Sequence, residues 1–140
     1  MLKPLEANRP RRRNTVVLDA SALLALLNQE PGSEQFTPEL LRSATTSTVN
    51  LAEVHSKLVS RGLPPADAWE ATLGPISEAV PFTSEHARLA GDLVAKTRPL
   101  GLSLGDRACL ALGLALHAPI YTADRSWDKL RLGVRIHLIR

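Results

Sequence analysis

Four carboxylates stand in apolar company. Asp19 closes the run Thr15-Val-Val-Leu-Asp19, and Glu53 lies inside Val49-Asn-Leu-Ala-Glu53-Val54. Asp106 opens the long apolar stretch Gly105-Asp106-Arg-Ala-Cys-Leu-Ala-Leu, and Asp124 follows Ile120-Tyr-Thr-Ala. If these ends converge, like charges raise one another's pKa or recruit a cation, and hard cations such as Mg²⁺ or Mn²⁺ take oxygen ligands. Each acid also has a plainer reading. Asp19 and Asp124 suit the N-cap of a following helix, and Ser103-Leu-Gly-Asp106 has capping-box spacing. Glu53 suits an exposed helix face. Gly105 has no place in a simple cap, because glycine in a helical turn costs up to about 1 kcal/mol against alanine. Close approach of substrate or of another element would explain it.

Smaller polar residues flank the acids. Ser21 and Thr122 are hydroxyls that could hold a carboxylate or a metal-bound water. Asn50, Glu53 and Ser56 fall on one helical stripe, where Asn50 could line a site wall. Asp128 is one turn beyond Asp124 and could serve as an outer ligand or as an exposed partner of Lys129 or Arg131. Arg107, Arg125, Lys129 and Arg131 are close in sequence to the acids and are candidates for flanking phosphate groups. Trp127 is a candidate for stacking on one base, whereas Trp69 reads as core or interface. With aromatics at 4% of residues, an extended base-stacking platform is not expected. His137, between Ile136 and Leu138, reads as an ordinary strand residue.

The elements that must position these groups alternate. Thr15–Asp19, Ala44–Ser47, Ala79–Phe82, Ile120–Thr122 and Val134–Ile139 read as strands. Helical patterns cover Ala22–Leu27, Ser33–Leu41, Val49–Arg61, Pro65–Leu73, Thr83 to about Thr97, and Leu104–Leu116, with a helical turn at Ser126–Leu130. Pro31-Gly32, Gly62 before Pro64-Pro65, and Arg98-Pro99 punctuate them. Arg88, Asp92 and Lys96 share a face, which makes Asp92 a solvated pair partner. Strands alternating with helices predict an α/β chain with a parallel sheet. Ligand sites in such sheets lie beyond the carboxyl ends of the strands, where Asp19 and Asp124 both fall.

A chain of 140 residues suits one domain with a core of its own. Cys109 is the only cysteine; it excludes an internal disulfide and reads as a small core residue. No apolar run has the length of a membrane span, and no uncharged leader segment follows the basic start, so a cytoplasmic protein is expected. Lys3, Arg9, Arg11, Arg12 and Arg13 against Glu6 give residues 1–14 a net charge of +4; with +3 for the whole chain, residues 15–140 carry −1. Residues 1–14 therefore read as a basic, flexible arm.

The segments Val17-Leu-Asp19-Ala-Ser21, Ser47-Thr-Val-Asn-Leu-Ala-Glu53-Val, Gly101-Leu-Ser-Leu-Gly-Asp106-Arg-Ala and Ile120-Tyr-Thr122-Ala-Asp124, in this order, resemble the PIN-domain nucleases. The likeness is nearest to the VapC-type toxins of toxin–antitoxin pairs and covers residues 15–139. It implies a three-layer α/β/α sandwich around a parallel sheet. Asp19, Glu53, Asp106 and Asp124 would be the catalytic, metal-binding acids for Mg²⁺ or Mn²⁺, cleaving RNA as an endoribonuclease. The implied partners are a VapB-like antitoxin and a second copy of the chain, giving a homodimer and a heterotetramer or larger with antitoxin. Cations bound by such acids reverse the local charge and lower the pKa of bound water, so no histidine or serine nucleophile is required. Two other readings stay open. One is a silent RNA-binding or scaffolding module. The other is a different Mg²⁺-dependent phosphoryl-transfer enzyme, although Ser21 stands where an aspartyl phosphatase commonly has a second acid, and no lysine stands at a strand end.

Overall fold

The computed structural model describes residues 14–140. The basic arm expected over residues 1–14 lies, apart from Asn14, outside them. Five short strands, β1 (Val16–Leu18), β2 (Ala44–Ser47), β3 (Glu78–Val80), β4 (Ile120–Thr122) and β5 (Ile136–Leu138), form one sheet in the order β3-β2-β1-β4-β5. Every pairing is parallel. Seven α-helices connect the strands among the described residues: α1 (Ala20–Leu27), α2 (Pro38–Leu41), α3 (Thr48–Ser60), α4 (Pro65–Leu73), α5 (Ser84–Asp92), α6 (Val94–Thr97) and α7 (Leu104–Leu116). The expected three-layer α/β/α architecture is what the chain adopts.

Alternation along the central strands makes the layers. In β1, Leu18 joins one apolar cluster with Leu23, Val54 and Leu58, while its neighbour Val17 joins another with Cys109, Leu110 and Trp127. In β4, Ile120 belongs to the second cluster and Tyr121 packs on the first. Successive side chains point to opposite faces, so a central strand apolar at every position demands cover on both sides. The first face is covered by α1, α3 and α4, and the second by α7, on whose outer side α5 packs. Gly113 lets α7 lie close on β4, because a Cβ there would overlap the Ile120 side chain. Cys109 is fully buried in this layer, and burial pushes its thiol well above the usual range.

Side-chain caps start the helices that matter for the site. Asp19 caps α1, Ser47 caps α3, and Ser103 with Asp106 forms a reciprocal capping box on α7. Two expected helices divide. The segment 33–41 is a 3₁₀ turn at Ser33–Gln35 followed by α2, separated by Phe36 and an extended Thr37. Pro38 dictates the break, since the residue before proline is driven out of the helical region. The helix from Thr83 stops at Asp92, where Leu93 departs from helical geometry (ψ −4°) before α6 begins. Asp92 accepts a hydrogen bond from Arg88 at 3.0 Å, as its spacing predicts.

Candidate active site

Asp19 leaves the end of β1 and is 2% exposed. Its Oδ1 accepts from the Ala22 backbone N–H at 2.7 Å, which closes the first turn of α1. Ser21 Oγ lies 2.7 and 2.9 Å from its two oxygens, and Thr122 Oγ1 donates to Oδ2 at 2.6 Å. The two hydroxyls tie Asp19 to the end of β4. The Ala123 N–H donates to Ser21 Oγ, and the Asp124 N–H to Thr122 Oγ1. Asp124 then caps the 3₁₀ segment Arg125–Lys129, its Oδ1 accepting from the Ser126 N–H and hydroxyl. Burial pushes the Asp19 carboxyl up from 3.8 to about 6 against the pull of its hydrogen bonds from Thr122, Ala22 and Ser21, and the charge of Asp106 adds to the rise.

The opposite wall is built where α3 meets α7. Asn50, 1% exposed, donates from Nδ2 to Glu53 Oε1 at 2.8 Å and to the Gly105 carbonyl at 3.1 Å. The close approach that Gly105 implies is made by Glu53, whose carboxylate occupies the space a Cβ would take. Asp106, next along α7, accepts from the Ser103 N–H through Oδ2 at 2.8 Å.

Asp19, Glu53, Asp106 and Asp124 together line one cleft of about 360 Å³. Capping and convergence turn out to be compatible: three of the acids cap helices, and those helix starts open onto the same cleft. Only oxygen donors are offered, the chemistry that Mg²⁺ or Mn²⁺ takes. Among the described residues, Glu53, Asp106 and Asp124 each commit one carboxylate oxygen to a hydrogen bond and leave the other without one. Asp19 is held where a lone negative charge is unfavourable and a cation would offset it. The donor set therefore fits a divalent ion. As the side chains stand, no three His, Cys, Asp or Glu among the described residues are close enough to share one, so ligation requires the side chains to draw inward.

Three cationic side chains share the cleft: Lys57 of α3, Arg61 at the C-cap of that helix, and Arg140 beyond β5. They are not among the arginines singled out from sequence. Lys57 and Arg61 follow Glu53 by four and eight residues, so they share its helix face, and that spacing is the signal that identifies them. Arg140 Nη1 pairs with Glu30 Oε1 at 2.8 Å on the rim.

Other candidates lie elsewhere. Arg107 donates to the Ala90 carbonyl at 2.9 Å and ties α7 to α5. Arg125 donates to the carbonyl of Arg140, and Arg131 to those of Asp128 and Leu130. Asp128 lines a separate hollow with Trp127, Arg131 and Val134 rather than the acidic cleft. Trp127 is completely buried and cannot stack on a base; its indole fills the core beneath the 3₁₀ segment. Trp69 is not core either, being 43% exposed with its ring edge-on to His55. His137 stacks on Tyr121, centroids 4.6 Å apart.

Comparison with known families gives a match to the model described as PIN domain over residues 16–132, a span that includes all four acids. The chain belongs to the PIN domain family. This PIN domain is similar in fold to the solved VapBC2 of Rickettsia felis bound to a DNA fragment from its promoter, with 18% identity and a TM-score of 0.68 over 87% of this chain and 96% of that one. It is similar also to DNA-bound VapBC from Salmonella typhimurium, with 14% identity and a TM-score of 0.70 over 90% and 98% of the two chains. VapBC-5 of Mycobacterium tuberculosis gives 21% identity and a TM-score of 0.57 over 89% and 98%. At these identities the likeness is one of fold. A comparison with curated protein sequences gives no match. No helix of the described residues in this PIN domain is long and apolar enough to cross a membrane.

Proposed function

We propose that this PIN domain is a divalent-metal-dependent endoribonuclease acting as the toxin of a type II toxin–antitoxin pair. The observation that carries the reading is the meeting of Asp19, Glu53, Asp106 and Asp124 from four distant segments in one cleft that also holds Lys57 and Arg61. Carboxylates alone would repel an anionic phosphodiester. A bound Mg²⁺ or Mn²⁺ would reverse that local sign and lower the pKa of bound water. Asp19, Asp106 and Asp124 would hold the ion. Ser21 and Thr122 fix Asp19 for that purpose, and Glu53 would orient the attacking water. Lys57, Arg61 and Arg140 supply positive charge along the same cleft and suit the flanking phosphates of a single strand. They take the part that sequence proximity suggests for Arg107, Arg125, Lys129 and Arg131.

The toxin role is supported by the fold shared with chains of VapBC assemblies. A VapB-like antitoxin and a homodimer complete the reading. An arginine-bearing segment would suit the acidic cleft by charge.

Purified protein incubated with RNA and Mn²⁺ tests the reading. Fragments should appear with the wild-type chain, vanish with chelator, and be absent with Asp106→Asn, which keeps shape but removes a charge. Wild-type cleavage by that variant would refute the assignment, and an RNA mobility shift without fragments would indicate a binding module instead.

A further inference from the structure

Gly105 is the second residue of α7, a position where alanine is the better helix former. A Cβ built on it would overlap Glu53 Oε2 and stand 2.5 Å from Oε1 and Cδ. The Glu53 carboxylate therefore rests on the bare backbone of the first turn of α7, beside Asp106. It is held there by Asn50, whose Nδ2 serves both Glu53 Oε1 and the Gly105 carbonyl.

The orientation of that amide follows from chemistry. Turned over, Oδ1 would face a carboxylate and a carbonyl, two acceptors and no donor. In the orientation adopted, Oδ1 is buried with no partner. An unpaired buried acceptor carries a desolvation cost, which an apolar side chain of similar size would not. Packing alone therefore gives no reason for asparagine here, whereas gripping Glu53 does. Glu53 needs such a grip, because an ungripped glutamate side chain on a helix surface samples many rotamers.

We propose that Asn50 and Gly105 form a seat that positions the Glu53 carboxylate against the first turn of α7 for cleavage. The seat rests on the reading of the cleft as a nuclease centre with Glu53 in it. Both members are positioning residues, acting through Glu53.

Four variants test the seat: Asn50→Leu, which keeps bulk and removes the donors; Asn50→Asp, which keeps shape and inverts polarity; Gly105→Ala; and Glu53→Ala. Single-turnover cleavage of RNA in Mn²⁺ should fall about 10–100-fold for Asn50→Leu and Gly105→Ala, the range for losing a partner that orients a site residue. Asn50→Asp should fall further. RNA affinity should stay within about two-fold, because residues that act as one unit affect the reacting geometry rather than ground-state binding. In a Glu53→Ala background neither Asn50→Leu nor Gly105→Ala should lower cleavage again, since coupled residues are not additive. Melting temperature gives a readout without catalysis. Gly105→Ala should lower it in the wild-type chain and raise it in the Glu53→Ala chain, where no carboxylate meets the new Cβ. Wild-type cleavage by Asn50→Leu while Glu53→Ala is inactive would overturn the seat and leave the nuclease reading intact. So would equal falls in melting temperature for Gly105→Ala in both backgrounds. Wild-type cleavage by Glu53→Ala would instead remove Glu53 from the chemistry, and the seat's role with it.

Discussion

The two walls of the cleft hold their acids in different ways. On the β1–β4 wall, both oxygens of Asp19 are bonded by Ser21, Ala22 and Thr122, and the hydroxyls are fixed in turn by the Ala123 and Asp124 N–H groups. On the α3–α7 wall, Glu53 and Asp106 each have one bonded oxygen, and the wall depends on how closely two helices approach at Gly105. One wall is a hydrogen-bonded network anchored in the sheet, the other a helix–helix contact. A carboxylate fully bonded and 2% exposed has its position determined and its charge disfavoured. Glu53 is seated against Gly105 as well, whereas Asp106 and Asp124 each keep a free oxygen and can rotate toward a ligand. The site therefore combines one fixed point with acids that can close upon it.

Removing the fixed point gives the largest effect. Asp19→Asn should lower cleavage by more than the 10–100-fold typical of losing an outer-shell partner, measured as initial rate at saturating Mn²⁺. The same change should make the ion-free protein more stable. Burial lifts the folded carboxyl from 3.8 to about 6, so the folded chain takes up this proton before the unfolded chain does as pH falls. The group's contribution is thus most favourable below pH 3.8 and is lost as pH rises through 6. Above that pH the charged carboxylate destabilises the ion-free fold by up to about 3 kcal/mol at 1.36 kcal/mol per pKa unit. The amide of the variant escapes that cost and forfeits part of the gain in lost hydrogen bonds. Urea unfolding in chelator at about pH 7.5, well above the folded pKa, should show the variant more stable; a variant less stable than wild type there would mean that the hydroxyl network outweighs burial. Added Mn²⁺ should stabilise the wild type and not the variant.

The hydroxyls come next. Ser21→Ala and Thr122→Val leave Asp19 in place and remove what orients it, so each should lower cleavage about 10–100-fold. On the other wall Ser103→Ala removes only the hydroxyl that accepts from the Asp106 N–H, leaves the Ser103 N–H on the Asp106 carboxylate, and should cost less in rate. Equal losses on both walls would erase the contrast between them.

Much of this was legible in the sequence, and the failures have physical causes. Strand ends at Asp19 and Asp124 could be read because uninterrupted apolar runs ended in a polar residue, and the parallel order followed from alternation. Gly105 could be read as one sign of close approach, by substrate or by another element, because a simple cap does not call for glycine in a first helical turn. The element that approaches was hidden, since it comes from a segment distant in the chain. The phase of α3 was not readable either. Its polar residues Asn50, Glu53, Ser56 and Lys57 form one stripe, which reads equally as an exposed face or as the wall of a site, and only the burial of Asn50 with Leu51, Val54 and Leu58 settles which. Trp127 misled for a related reason. Its neighbours Arg125, Ser126, Asp128 and Lys129 are polar, but a 3₁₀ segment turns about one residue in three inward, and the indole was that one.

Lys57 and Arg61 should give the smallest effect and the most diagnostic one. Both are exposed, and neither makes an ion pair with an acid among the described residues. Their charge is therefore available to a ligand, and solvent screens it. Lys57→Ala with Arg61→Ala should leave turnover at saturating RNA nearly unchanged and weaken RNA binding. Each lost phosphate contact on a single strand lowers the slope of log affinity against log salt by about 0.7, so the pair should lower it by about 1.4. Between about 50 and 200 mM salt that amounts to a roughly seven-fold smaller loss of affinity than the wild type suffers. An unchanged slope would mean that the phosphates run elsewhere. A fall in turnover without a change in slope would place these cations with the reacting centre rather than along the strand.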